Sequence, residues 1–225
     1  MNSESLRSLL IETARLRGRD IGTVQPAFSG VGIDTDRGCF SVDVDSDGRT
    51  FLITIRTFPF TWATGLVADL GRVVDAAAAW REGLSVDDFE ATFEFMDLDE
   101  FARPLEAGNP TPLQWSILVS HDLYARQRPV LSRLHADDTL RTLFPVVSMG
   151  TVRLRTDPLD TGVNGHILID QLAEHTYKVT VVGEEAMRVV DSLDELVGYL
   201  KSHITSHAAG NRPPDGPTGS KCSGL

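Results

Sequence analysis

The spacing of apolar residues changes period several times along the chain. Leu6, Leu9, Leu10 and Thr13/Ala14 recur at helical spacing and predict a helix over Ser3 to Arg17. A glycine-containing connection, GRDIGTVQPAFSGVGIDTDRG, follows. The segments CFSVDVD and TFLITIRT then alternate strictly, with Phe40, Val42 and Val44 on one face of the first and Phe51, Ile53 and Ile55 on one face of the second. Asp47 and Gly48 between them tolerate the positive φ of a turn, so two antiparallel strands are predicted. After Phe60 the period becomes helical, through Val67, Leu70, Val73, Val74, Ala77 and Trp80, and Gly83 ends the run.

A helix with Ser85 as N-cap and Asp87 and Asp88 in its first turn comes next. Another begins in NPTPLQW, where Thr111, Pro112 and Gln114 have the spacing of a capping box with proline at the first helical position. Short helical pieces in RPVLSRLHADDTLRTLF stop at Pro145. From Gly150 the period returns to two, and TVRLRT, HILID, TYKVTVVG and the shorter EEAMRVVD are predicted strands. Ser192 and Glu195 form a capping box for a last helix whose core face is Leu193, Leu196, Val197, Leu200 and Ile204. The tail from residue 207, rich in Gly, Pro and Ser, is expected to be disordered. Strands come in groups, which predicts α+β with a largely antiparallel sheet of about five to six strands packed by helices. One domain over residues 1–206 is expected, with 207–225 as the tail, and no internal repeat is visible.

The 225 residues suit one large domain or two small ones, and 41% hydrophobic with 24% charged residues is ordinary for a globular chain. The net charge of −11, without a basic run, disfavours nucleic acid. No apolar run is long enough to span a bilayer, and the amphipathic N-terminus does not read as a secretion signal, so no membrane and a cytoplasmic location are expected. Cys39 in a strand and Cys222 in the tail suggest neither a disulfide framework nor a zinc site, and Cys39 reads as a small apolar residue.

Asp43, Asp45, Asp47 and Gly48 occupy the first, third, fifth and sixth places of a calcium-loop pattern, but the twelfth is Thr54, which supplies no bidentate carboxylate. The stretch therefore reads as a turn. His203 and His207 are four apart, without the glutamate of the protease arrangement, and suit a helix C-terminus. His121 and Asp122 are the residue types of a metal phosphohydrolase pair, yet adjacent residues diverge on a helix. No dinucleotide fingerprint or phosphate loop is present, and Ser148 lacks the glycine that a nucleophile elbow places two residues before it. Neither cofactor nor metal is expected. Arg153 and Arg155 share a strand face, which Lys178 joins from a neighbouring strand, giving a small basic face for a carboxylate or phosphate. Trp62, Trp80, Trp115, Phe93 and Phe95 are expected in the core.

The run VVDAAAAWREGLSVDDFEATFEFM, then LRTLFPVVSMGTVRLR, then HTYKVTV and a closing amphipathic helix resembles an actinobacterial domain-of-unknown-function family labelled "natural product biosynthesis protein", over residues 60–204. Members of that family often carry His where this chain has Met149. The resemblance implies a place in a natural-product pathway, a ribosomal peptide one by our reading, and carries over no catalytic residue. Two readings follow. One is an accessory protein without catalytic activity that binds a precursor peptide or a biosynthetic enzyme of the same pathway. The other is a pathway enzyme, a lyase or cyclase acting on a modified peptide, with His121, Asp122 and His166 as candidate catalytic groups. An immunity or regulatory binding protein, its acidity matched to a basic partner, is a third.

Overall fold

The computed structural model describes residues 2–27, 29–46, 48–160, 162, 165–184 and 187–208. Two compact units meet in the chain between Gly108 and Asn109. The architecture is α+β with antiparallel sheets, as the grouped strands predict.

The first unit opens with α1 (Ser3–Leu16), capped by the Asn2 side chain on the Ser5 amide. Leu6, Leu10 and Ala14 are buried as predicted, while Leu9 falls outside the stripe and is half exposed. Five strands follow as an up-and-down meander: β1 (Val24–Pro26), β2 (Val31–Thr35), β3 (Gly38–Val44), β4 (Phe51–Thr57) and β5 (Phe60–Val67). The predicted hairpin is β3–β4, with Val42 opposite Ile53 and Phe40 opposite Ile55, all four fully buried. Next come α2 (Leu70–Arg81), α3 (Val86–Thr92), the short strand β6 (Met96–Leu98) beside β5, and α4 (Ala102–Glu106). Asp69 caps α2 and Ser85 caps α3. Trp80 makes edge contacts with Trp62 at 5.5 Å and Phe89 at 5.1 Å, so the aromatic residues form the centre of this core.

Three differences have physical causes. The glycine-containing connection after α1 contains β1 and β2, whose glycines and Pro26 mask a short alternating pattern. The run after Phe60 is strand to Val67 before it becomes helix, because FTWATGLV alternates in burial and α2 starts only at its Asp69 cap. Cys39 is buried and disulfide-bonded, which corrects the reading of an unconnected thiol.

The second unit begins with α5 (Thr111–Ser120), a 3-10 turn (Asp122–Tyr124) and α6 (Arg128–His135), followed by another 3-10 turn (Leu140–Thr142). Thr111 lies inside α5 and makes no cap bond; Pro110 holds the N-cap position. A second meander then runs β7 (Phe144–Ser148), β8 (Thr151–Arg155), β9 (Ile167–Gln171), β10 (Tyr177–Val181) and β11 (Met187–Val190). Strand β7 contains Pro145, which was read as a helix stop, and proline is admitted because β7 is the edge of the sheet. The closing helix is α7 (Leu193–Ala208), where the Glu195 amide donates to Ser192 Oγ and the Asp191 amide to Glu195 Oε2. Beyond Ala208 the tail lies outside the described residues.

The two units share an order of helical segment, antiparallel meander and helix, with six strands in the first sheet, where β6 joins after α2, and five in the second. The shared order leaves no repeat in the sequence, since α2 is followed by further elements in the first unit and two helices precede the meander in the second. Each unit has its own core, one centred on Phe40, Ile53 and Trp80, the other on Trp115, Leu154 and Leu196.

Candidate anion-binding site

The sheet of the second unit packs one face on its helices. Val152 and Leu154 of β8 and Ile169 and Val179 beside them are buried there. Period two therefore sends Arg153 and Arg155 to the opposite face. Leu154 pairs with Ile167, so one residue further along each strand Arg155 lies beside His166. The side chains at this end of the sheet are deeply placed: Arg155 is 7% exposed and His166 3%.

The guanidinium of Arg155 has one satisfied nitrogen, Nη1, which donates to the Asp160 carbonyl at 2.7 Å. Its carbon lies 4.9 Å from the ring of Phe144, the residue opposite it on β7. Nε and Nη2 of Arg155, Nε of Arg153 and both ring nitrogens of His166 are buried without a hydrogen-bond partner. His166 Nε2 is 3.4 Å from Asp160 Oδ2, close enough to attract but not aligned as a hydrogen bond. Asp160 is thus the common neighbour of both groups, and its other carboxylate oxygen accepts from the Gly162 amide. Burial lowers the Arg155 pKa from its ordinary value; Asp160 opposes that shift, Arg153 adds to it, and Asp157 opposes it. Two cations on one sheet face with unused donors form a concentration of positive potential, and buried polar groups are rarely left unpaired.

A separate pocket of about 410 Å³ lies on the helix side of the sheet beneath α7, and Arg155 borders it only from β8, its guanidinium being on the other face beside Phe144 and Asp160. The pocket walls are the aliphatic side chains of Leu143, Leu154, Ile167, Val181 and Ile204. Thr156, Glu184 and His203 supply further polar lining, and His203 Nε2 stands 3.6 Å from Glu184 Oε1.

The other candidates lie elsewhere. Lys178 shares the sheet face of the arginines but stands in another row: the register places it opposite Asp170, and its Nζ lies 3.0 Å from that carboxylate. Asp170 is held below the usual carboxylate range by the Thr151 hydroxyl and by Lys178, against burial. His121 is the C-cap of α5, exposed, and its Nδ1 accepts from the Leu123 amide at 3.1 Å. Asp122 points into solvent and pairs with Arg128 at 3.1 Å. These two residues turn the chain and are not brought to His166 by any described contact. The side chain of His207 lies outside the described residues. Ser148 ends β7, and Met149 with Gly150 makes the two-residue turn into β8. Asp160, Glu184 and the pocket walls were not singled out from sequence; only the alternation around Arg155 and Ile167 hinted at them.

Among the described residues no group of three or more His, Cys, Asp or Glu could hold a metal ion. No described helix is long and apolar enough to cross a membrane. Comparison with family models, curated proteins and solved structures gives no match for this chain.

Proposed function

We propose that the protein is a binding component without catalytic activity, an accessory to a bacterial peptide natural-product pathway, that takes an extended segment of a precursor peptide or pathway enzyme. The observation that supports this reading is strand β11. Of the four sheet edges, β1 is three residues long and ends in Pro26, β6 is three residues long, and β7 carries Pro145. Such features blunt an edge against pairing. Strand β11 has no proline, and its Met187 and Val189 are exposed on one face. Arg188 does not guard it, since its guanidinium is drawn back over Tyr199 at 5.0 Å, beside Glu195. An incoming strand would gain main-chain hydrogen bonds along this edge and apolar contacts at alternate positions.

Charge placed on the edge tests the reading. Tagged wild-type protein and a Met187→Lys/Val189→Lys variant are used to capture partners from the native host, with stoichiometry read by mass spectrometry. A stoichiometric precursor peptide or biosynthetic enzyme held by the wild type and lost by the variant supports the proposal. Wild-type protein recovered alone, or a partner retained by the variant, counts against it.

A second reading, the pathway enzyme, is favoured by one contact, the buried His166 beside Asp160. It requires product formation to fall when His166 becomes Gln; unchanged product formation removes it.

A further inference from the structure

We infer that the pocket beneath α7 binds a small aliphatic amine, its alkyl body against the sheet and its ammonium head beside Glu184 at the rim. The floor of the pocket is one row of side chains across three strands, since Leu154 pairs with Ile167 and Ile167 with Val181. Ile204 of α7 lines the helix side, so the body of the ligand is apolar. The volume of about 410 Å³ falls in the range of small-molecule sites.

The charge of the lining selects the head. Arg155 and Glu184 are the two fully ionised side chains among the described residues that border the pocket, and the Arg155 guanidinium lies on the other face of the sheet beside Phe144 and Asp160. The pocket side therefore carries the Glu184 carboxylate without a compensating arginine or lysine. His203 stands next to it, with Nε2 3.6 Å from Glu184 Oε1. Helical spacing places His203 on the buried stripe of Leu196 and Leu200, which fixes the imidazole at the pocket.

An ionised carboxylate offers about four acceptor sites on its two oxygens, so a contact with the imidazole leaves capacity for an ammonium. The negative end of the α7 dipole adds to the attraction, because α7 ends at Ala208, about one turn beyond Ile204. The Glu184 side chain is 32% exposed, so the ammonium keeps part of its hydration at the rim and avoids the full cost of burying a charge. A carboxylate head on the same body meets like charge there.

The same chemistry has two sources: a free alkylamine, or the N-terminus of a peptide that begins with an apolar residue. None of the described β11 residues lines the pocket, so this inference and the strand-addition reading can fail separately.

Calorimetric titration of the full chain at about pH 7, where both kinds of amine are mostly protonated, compares hexylamine, hexanol and hexanoate, and leucyl-leucinamide with its N-acetyl form. At least one amine is expected to bind about tenfold or more tightly than its neutral counterpart, with hexanoate weakest. Tighter binding of hexylamine identifies a free amine; tighter binding of the dipeptide amide identifies a peptide N-terminus. Glu184→Gln removes the preference for the amine, and Ile204→Trp, which fills the pocket, abolishes binding, with circular dichroism showing a retained fold. Glutamine keeps the shape of the rim, so the charge test stands even where the tryptophan variant fails to fold. Equal affinity for amine and neutral forms, or a preference retained in Glu184→Gln, overturns the role of Glu184. Absence of binding by all five compounds, or binding untouched by Ile204→Trp, overturns the site itself while leaving the β11 experiment unaffected.

Discussion

The guanidinium carbon of Arg37 lies 3.7 Å from the ring centroid of Trp80, and the same side chain donates to the Trp80 carbonyl at 3.3 Å. A second bond reaches the Leu84 carbonyl at 2.6 Å, and Nη1 pairs with Glu106 at 3.1 Å. Arg37, on the β2–β3 turn, thereby holds the end of α2 and covers the largest side chain of the first core. Replacing it with alanine strands two carbonyls and uncovers the indole, with an expected loss of about 2–3 kcal/mol. Lysine restores the charge but not the planar fork, and should recover less than half of the loss. Urea unfolding of the two variants checks this.

Arg155 is expected to cost the empty protein stability. Its two unengaged N–H groups are desolvated without return, so Arg155→Met should raise the midpoint of thermal unfolding by an amount corresponding to about 1 kcal/mol. A lower midpoint would show that its bond to Asp160 and its contact with Phe144 outweigh that penalty.

Reversal of charge at both Arg153 and Arg155 should weaken capture of an acidic ligand or partner by about tenfold or more, with circular dichroism showing a retained fold. Unchanged affinity would remove the basic face from the binding surface.

Asp170 sets a pH dependence. Its folded-state pKa is depressed, chiefly by the Thr151 hydroxyl and also by Lys178, so its stabilising contribution is complete above the unfolded carboxylate value. That contribution is lost as pH falls through the folded value. Asp170→Asn should therefore be less stable than wild type near neutrality, and the gap should narrow below about pH 4. A gap that is constant through acid titration would contradict the assignment.

Met149 carries a φ of 50° as the first residue of the two-residue turn between β7 and β8, with Gly150 at 87° after it. A long side chain gains nothing there, since Met149 is fully exposed. Asparagine suits both positive φ and this hairpin turn, so Met149→Asn should stabilise by about 0.5–1 kcal/mol in chemical unfolding.

Strong periodicity carried the elements that sequence could reveal. The β3–β4 hairpin, β8 to β11, and the cores of α1 and α7 all present several apolar residues in phase. Short strands bounded by glycine or proline, such as β1, β2 and β6, offered too few repeats to separate from connections. Strand β5 was hidden because Val67 and Leu70 belong at once to the end of a strand pattern and the beginning of a helical one. The basic pair Arg153 and Arg155 was legible from spacing two. The face of Lys178 was legible too, but sequence alternation does not fix the row across the sheet, and its row holds Asp170. Asp160 gave no signal, since a loop aspartate meets an arginine and a histidine only through the register of β8 and β9.

The break at Gly108 and Asn109 also has a consequence for synthesis. Every strand of the first sheet pairs with a neighbour that lies on the same side of that break, and so does every strand of the second. A growing chain can therefore complete the first sheet while the codons for the second are still being read. The strand edges of the first half are satisfied before those of the second emerge, which lowers the chance that the two similar meanders exchange strands.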